Sequence, residues 1–465
     1  MDNNDKIEII DDGVSENKKA ESEELTHSTH SEHHHSHHGH HSHHSSHHSH
    51  GHSSSHRRRH SRKTKEIKRF FKKNKYQISN AVIAVLFIAI LIILGFVIDK
   101  RGFFNNDPSS ADTTDRFRET ESSLQIEIPL FADDAVLVST GVEKYINSVD
   151  IALARDYYKD YSALGRQDSG KPVTLWYEIN GMPADYSVKS TELLISEKDD
   201  FSSPIVYSVE SDETSVDVYN LKTGKKYFYR FELTFTNGSK TGVNGSFDTA
   251  PTPRMLNVDG VGNIRDIGGW TTVDGKRIRQ GMLFRGTELD GLVEPKYTAT
   301  ADGINTLLTV LGVRTEMDLR HESDNPNKIN VLGAGVKHNY YGIPMYSEVF
   351  TDNGKAIIRR VFSDLADKNN YPVYMHCTHG MDRTGTVCYL LEAILGMNED
   401  DLMREYQLSV FYHGTLWSIN EMNEFIGRLK AYEGSTIQQK AENFLISTGV
   451  TANEIASIRE IFLEG

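Results

Sequence analysis

Cysteine is almost missing from this chain. Only Cys377 and Cys388 occur in 465 residues, so no disulfide framework can exist outside the short segment that holds both. Taken alone, that scarcity points to the cytoplasm. Charge is missing from one stretch: residues 78–98 carry no charged side chain. A helix of about 20 such residues spans a bilayer, and this run starts too far from the N-terminus for an ordinary secretory signal. Basic residues are dense before it, from Arg57-Arg58-Arg59 to Lys72-Lys73 and Lys75. After it only Lys100 and Arg101 occur before acidic residues take over. Positive flanks stay cytoplasmic, so the N-terminus is expected inside and everything after Asp99 outside. The lack of cysteine then fits a bacterium that does not rely on disulfides, of Gram-positive type.

The length suggests two or three folded units. Residues 1–76 read as a disordered cytoplasmic tail, 77–98 as a transmembrane helix and 99–123 as a polar tether. Residues 124–251 read as a β-rich module and 252–465 as an α/β domain. The tail holds a His/Ser tract from His27 to His60 with seventeen of the twenty-two histidines. Such tracts can bind zinc, nickel or copper weakly, but a solvated low-complexity tail is the favoured reading. The basic block beside the membrane is expected to meet anionic lipid. The net charge of −14 disfavours a highly anionic substrate, although local rim charge can override it. No nucleic-acid partner is expected.

In the module, short runs alternate apolar and polar residues between turns: Val173-Thr174-Leu175-Trp176-Tyr177, Leu193-Leu194-Ile195, Ile205-Val206-Tyr207 and Val216-Asp217-Val218-Tyr219. Period-two alternation at this spacing indicates a β-sandwich. Leu221-Lys222-Thr223-Gly224-Lys225-Lys226-Tyr227 resembles the tyrosine corner of fibronectin type III sandwiches, with Thr223 in place of the usual proline. The resemblance implies that Trp176 is the core tryptophan. Helical stretches between Pro129 and Tyr161 do not fit that fold and read as an insertion or a separate helical piece. The module carries no catalytic constellation and is expected to be a spacer, or to contact the cell wall.

The richest segment is His376-Cys377-Thr378-His379-Gly380-Met381-Asp382-Arg383-Thr384-Gly385. Val373-Tyr374-Met375 before it reads as a buried strand, and residues 386–395 as a helix ending at Gly396. A tight turn between them would point the backbone N–H groups of Thr378, His379, Gly380, Met381, Asp382 and Arg383 inward, a cradle for phosphate oxygens. Arg383 adds a planar fork for two of those oxygens. The same donors and the helix N-terminus would hold Cys377 as a thiolate, the nucleophile for a phosphate monoester. Thr384 could donate its hydroxyl to the sulfur and help it leave. His376 is expected to orient the loop through backbone contacts, and His379 to be exposed at the rim. Cys388 reads as a core thiol.

This loop resembles the protein tyrosine phosphatase superfamily signature, His-Cys-x5-Arg-Ser/Thr. Upstream lie Asn263-Ile264-Arg265-Asp266-Ile267-Gly268-Gly269, then Arg279 to Gly286, then Gly312 to Arg320 with Asp318-Leu319-Arg320. The series is similar to bacterial and fungal tyrosine phosphatases with an Asn-x-Arg-Asp-x-Gly-Gly motif. That group includes secreted bacterial enzymes acting on both phosphotyrosine and phosphoinositides. Several relatives carry Lys where this chain has Met381, which weakens the case for polyanionic lipid headgroups. The resemblance implies an α/β phosphatase domain, a central sheet flanked by helices, without metal or other cofactor. Residues 356–365, 402–412 and 454–462 are expected among its helices.

The proton donor is open. Many superfamily members place an Asp after an Ile-Pro strand end. Here Gly342-Ile343-Pro344-Met345-Tyr346-Ser347-Glu348 offers none, and Glu348 is the reserve. The resembling bacterial group implies Asp382 as donor; the alternative is that Asp382 pairs with an arginine and stiffens the loop. Arg265, Asp266 and Arg320 either line the pocket or form buried ion pairs. Three functions remain open: a membrane-anchored phosphotyrosine phosphatase, a phosphatase for inositol phosphates, phosphoinositides or other small esters, and a surface receptor that only binds phosphorylated ligand.

Overall fold

A computed structural model describes residues 124–184 and 186–465. The expected tail, membrane span and tether lie outside those residues. Among the described residues no helix is long and apolar enough to cross a membrane. All of them belong to one compact unit.

The first part is a β-sandwich. Strand β1 (Gln125–Glu127) pairs with β3 (Glu178–Asn180), and β2 (Val173–Trp176) with β6 (Ser215–Val218), both antiparallel. Opposite them lies an antiparallel sheet in the order β5 (Ile205–Val209), β4 (Val188–Ser196), β7 (Lys226–Phe235), β8 (Lys240–Asp248). Alternation fixes the inner face. Tyr227, Tyr229, Phe231, Leu233 and Phe235 of β7 are buried together with Val173, Leu175 and Tyr177. The same alternation corrects the expectation for Trp176. With Val173, Leu175 and Tyr177 inside, Trp176 must point outward, and it is 37% exposed. In the segment 221–227 the Lys222 backbone N–H donates to the Tyr227 hydroxyl oxygen at 2.9 Å.

The helical stretches are Thr140–Ile146 and Ala154–Tyr161. They are not an ornament of the sandwich. Val138, Val142, Tyr145 and Ala154 are buried in the same hydrophobic core as Met375, Cys377 and the helix that follows it. A boundary at residue 252 therefore cuts through one core, and the insert packs with the domain downstream.

That domain has a five-stranded sheet in the order β12 (Lys337–Tyr340), β11 (Thr315–Asp318), β13 (Val373–His376), β10 (Leu283–Gly286), β9 (Arg265–Asp266). All neighbours are parallel except the β9–β10 pair. Every residue of β10, β11 and β13 is buried, as sheets covered on both faces require. The cover includes helices Asp352–Leu365, Asp382–Leu395, Ile437–Ser447 and Ala452–Phe462. Helix Asp382–Leu395 is buried along its whole length and stops at left-handed Gly396. The helix expected over 402–412 is instead two, Glu399–Gln407 and Val410–His413. The break leaves the Ser409 hydroxyl to accept from Asn263 Nδ2 and Arg265 Nη2.

Candidate active site

The central strand β13 ends at His376, and the chain then turns through Cys377 to Met381 into the helix Asp382–Leu395. The turn is held from outside by its carbonyls. The His376 ring donates from Nδ1 to Cys377 O at 3.2 Å. The Glu288 N–H donates to Thr378 O at 3.0 Å. His379 O accepts from Asn263 Nδ2 at 3.1 Å and His413 Nε2 at 3.0 Å. Arg285 Nη2 donates to Gly380 O at 2.8 Å. In a trans peptide the C=O and the following N–H point in opposite directions. Four carbonyls drawn outward therefore turn the N–H groups of Thr378, His379, Gly380 and Met381 inward. Among the described residues none of these four N–H groups meets an acceptor. Gly380 is required at its place: its φ is +64°, and a Cβ there would sit 2.2 Å from the Gly286 carbonyl oxygen at the end of β10.

Cys377 is 2% exposed at the base of this ring. Arg383, in the first turn of the helix, donates from Nη2 to Thr378 Oγ1 at 3.2 Å and from Nη1 to Asp324 at 2.8 Å. Burial alone would lower its pKa, but Cys377 and Asp324 outweigh that and raise it. The Thr384 hydroxyl is buried and has no partner, so the expected bond to the Cys377 sulfur is not formed in this state.

The histidines divide into two kinds. His376 is fully buried, which opposes its charge, yet Asp318 and Glu316 outweigh burial and raise its pKa. Both ring nitrogens face acceptors, Glu316 Oε1 at 2.9 Å and the Cys377 carbonyl, which suits an imidazolium donating twice. His379 and His413 go the other way, through burial; His413 falls to about 4 and is neutral. His379 is not exposed, contrary to expectation. Its ring is half-buried against Tyr297, His413 and Trp417, edge to face in each case. Trp417 keeps 50% of its surface open, so the loop has an aromatic flank.

Asp382 does not pair with an arginine. Its Oδ1 accepts from the Tyr346 hydroxyl, which also meets the Tyr406 hydroxyl at 2.8 Å. Tyr346 belongs to the Ile-Pro segment read above for a carboxylate. That segment delivers a tyrosine instead, at the cost of a positive φ of 45°, an uncommon conformation for a bulky residue. Glu348 is exposed on the outer side of the same turn. It lines a cavity of about 530 Å³ with Tyr346, Glu421 and Arg428 and has no contact with the loop. Met381 is fully buried in the core. It contributes backbone to the loop but no side chain.

Arg265, Asp266 and Arg320 form buried ion pairs and do not line the loop. Arg265 Nε and Arg285 Nη1 share the two oxygens of Glu405, each at 2.6 Å. Asp266 accepts from Arg254 and from the N–H groups of Gly268 and Gly281, which closes the Asn-x-Arg-Asp-x-Gly-Gly turn. Arg320 is ringed by Asp318, Glu288 and Asp290. Cys388 is buried, and burial pushes its thiol far up. Asn263, Arg285, Glu288, Asp324, Tyr346, Glu405 and His413 had no assigned role in the sequence. Among them Arg285, inside Leu283-Phe284-Arg285-Gly286, gave a signal as a charge within a short apolar strand.

A family model described as "Tyrosine phosphatase family" matches residues 256–464. A putative tyrosine-protein phosphatase of Cupriavidus necator is 27% identical over 177 residues, covering 32% of this chain and 61% of that protein. A tyrosine-protein phosphatase of Nostoc commune is 25% identical over 132 residues, covering 24% of this chain and 45% of that protein. The chain thus spans about half the length of these curated relatives. The solved core catalytic domain of a PP-IP phosphatase from S. cerevisiae, in complex with citrate, aligns over 36% of this chain and 93% of its own, at 14% identity and a TM-score of 0.25. That score is too low to place a substrate. Residues 256–464 are thus similar to the tyrosine phosphatase family.

Proposed function

We propose that the chain is a cysteine-dependent phosphatase of phosphate monoesters, with protein phosphotyrosine as its preferred substrate. One observation carries the reading: the N–H groups of residues 378–381, between Cys377 and Arg383, turn inward at the N-terminus of a buried helix. Such a ring matches the equatorial oxygens of a phosphoryl group. Cys377 attacks phosphorus in line; the P–S bond forms as the ester P–O bond breaks. Asp382 gives its proton to the departing oxygen. It then takes a proton from water, which attacks phosphorus, and the P–S bond breaks to release phosphate and the thiolate. Thr384 supplies a hydrogen bond to the leaving sulfur. Arg383 and the amides hold the oxygens in both steps.

Preference for an aromatic ester is supported by the flank of His379, His413 and half-exposed Trp417. It is also supported by the neutral, buried Met381 in the loop, since a polyanionic substrate would call for added positive charge there. A panel of phosphopeptides, phosphoinositides and inositol phosphates tests the choice, with Cys377→Ser alongside. Phosphotyrosine peptides should be turned over fastest, and Cys377→Ser should bind phosphate without turnover. Faster hydrolysis of inositol phosphates would move the assignment to the second substrate class, and activity surviving in Cys377→Ser would end the covalent mechanism.

The anchoring belongs to the same proposal. The uncharged run 78–98 and its basic N-terminal flank support a single span with the phosphatase outside the cell. The sandwich with its Tyr227 corner supports a fibronectin type III-like element between membrane and enzyme. Protease added to intact, wall-stripped cells should cut the region after Asp99 and spare the His-rich tract. The opposite pattern would reverse the orientation.

A further inference from the structure

The segment that precedes the family-matched region reaches the phosphate loop. Residues 166–168 lie between the insert helices and strand β2, outside residues 256–464. Arg166 grips Asp168 with two hydrogen bonds, Nε to Oδ1 at 2.8 Å and Nη2 to Oδ2 at 3.0 Å. Arg166 Nη2 also donates to the Val261 carbonyl at 3.0 Å. Asp168 is buried, and its Oδ2 accepts the backbone N–H of Asn263 at 3.1 Å. Asn263 is fully buried with φ +51°, in the left-handed region that a non-glycine residue keeps only when its surroundings fix it. Its side chain is fixed at both ends. Oδ1 accepts from Arg265 Nη1 at 2.7 Å, and Nδ2 donates to Ser409 Oγ and to His379 O.

We infer that Asp168 is a positioning residue of the phosphate loop, acting through Asn263 on the peptide between His379 and Gly380. That peptide is rigid and planar. When Asn263 holds the His379 carbonyl outward, the Gly380 N–H is presented to the phosphoryl oxygens. Loss of the Asp168 carboxylate frees the Asn263 backbone from its strained conformation, lets Nδ2 swing away, and leaves His413 as the single anchor of that carbonyl. The insert is then part of the catalytic unit, and the module is more than a spacer. The inference rests on the phosphatase reading of the Cys377 loop.

The full chain tests it. Direct removal of one preorganised donor costs about 10²–10³ in kcat, so an indirect loosening of the Gly380 N–H should cost about tenfold. Asp168→Ala should lower kcat on an aryl phosphate by about tenfold and weaken inorganic phosphate binding to the Cys377→Ser background by a similar factor. Asp168→Asn keeps an acceptor for the Asn263 N–H and should recover most of both. Gln280→Ala is the matched control. Gln280 is buried and exchanges two hydrogen bonds with the Thr223 backbone, at 2.9 and 2.8 Å, between the same module and domain but away from the loop. It should lower Tm and leave kcat and phosphate affinity unchanged. Unchanged kcat and phosphate affinity in Asp168→Ala overturn the inference, as does an equal loss in Gln280→Ala at an equal fall in Tm. If Asp168→Ala does not fold, Arg166→Leu decides: it removes the half-exposed brace and should cost several-fold in both readouts, and no change there refutes the inference. A wild-type chain that neither binds phosphate nor turns it over sinks the phosphatase reading and this inference together; an active wild type with an unaffected Asp168→Ala sinks this inference alone.

Discussion

Glu405→Gln should be the most damaging single-atom-scale change behind the phosphate loop. Glu405 is buried, and its two oxygens bind Arg265 and Arg285 at 2.6 Å each. Burial by itself would raise its pKa; the two guanidiniums outweigh burial and lower it below the ordinary 4.5. Removing one partner of a buried ion pair costs about 3–5 kcal/mol, because the remaining charge is left uncompensated. At about 2–4 °C per kcal/mol for a domain of this size or a little smaller, Tm should fall by about 6–20 °C. Arg285 also holds the Gly380 carbonyl, so phosphate affinity should fall with it. Glu392 adds a second layer. It is fully buried in the helix after the loop, neither of its oxygens has a partner, and burial followed by the Glu405 charge pushes its pKa well up. Its protonated form is therefore favoured in spite of the charges of Arg285 and Arg265. In Glu405→Gln the repelling carboxylate is gone, and Glu392 should ionise and offset part of the lost charge. Glu392→Gln alone should then cost about 1 kcal/mol or less, as expected for a change that removes no made hydrogen bond. The double variant should be worse than the sum of the singles. The pH dependence has opposite signs at the two sites. Glu405 has a lowered folded pKa, so its stabilisation is present above 4.5 and is lost as pH falls through the folded value. Glu392 has a raised folded pKa, so the cost of keeping it protonated grows as pH rises above 4.5, and Glu392→Gln should gain on the wild type in that direction. Calorimetric unfolding of the four chains between pH 4 and 8 measures all of this. A Tm shift under about 2 °C for Glu405→Gln, or strict additivity in the double variant, would refute the charge argument.

Asp382→Asn should reduce turnover of phosphotyrosine by about 10²–10⁴ and of an ester with a good leaving group far less, because only the poor leaving group needs the proton; equal loss on both assigns Asp382 a structural role. Tyr346→Phe removes the hydroxyl that holds Asp382 Oδ1 and should show the same leaving-group dependence with a smaller amplitude, of order tenfold; a uniform loss would show that Tyr346 serves the fold alone. The purified chain should keep full activity in chelator, since Arg383 and the loop amides supply the charge stabilisation that a cation gives elsewhere; activity lost in chelator and restored by a divalent ion would contradict that.

What the sequence disclosed and what it hid follow from distance along the chain. The loop 376–385 is contiguous, and its residue types state its chemistry almost by themselves. Strand β13 was legible as the short apolar run Val373-Tyr374-Met375, whereas the equally buried β11, Thr315-Glu316-Met317-Asp318, was not, because it is polar. Trp176 shows the limit of reasoning by analogy. The pattern Val173, Leu175, Tyr177 already placed that tryptophan on the outer face, and the alternation outweighs any expectation about which aromatic fills a sandwich core. The groups that aim the loop come from far away: Asn263 is 116 residues from His379, and Arg285 is 95 from Gly380. Nothing local says that their donors meet those carbonyls. The signal they left was energetic. Glu392 sits inside Leu390-Leu391-Glu392-Ala393-Ile394-Leu395, and Arg285 inside Leu283-Phe284-Arg285-Gly286. A charge in such a run must be neutralised, paired or functional. Within one cluster burial favours the protonated form of Glu392, Arg265 is paired with Glu405, and Arg285 is paired with Glu405 while it also holds the Gly380 carbonyl. The search for a second carboxylate after Ile343-Pro344 failed for a different reason. It asked which residue could donate a proton, whereas the structure there supplies Tyr346 to hold Asp382, the donor proposed above. A phosphatase loop that carries its own Asp382 needs a partner to orient it more than it needs another acid, and a buried tyrosine, neutral at any working pH because burial drives its pKa far up, can orient Asp382 without competing for the proton.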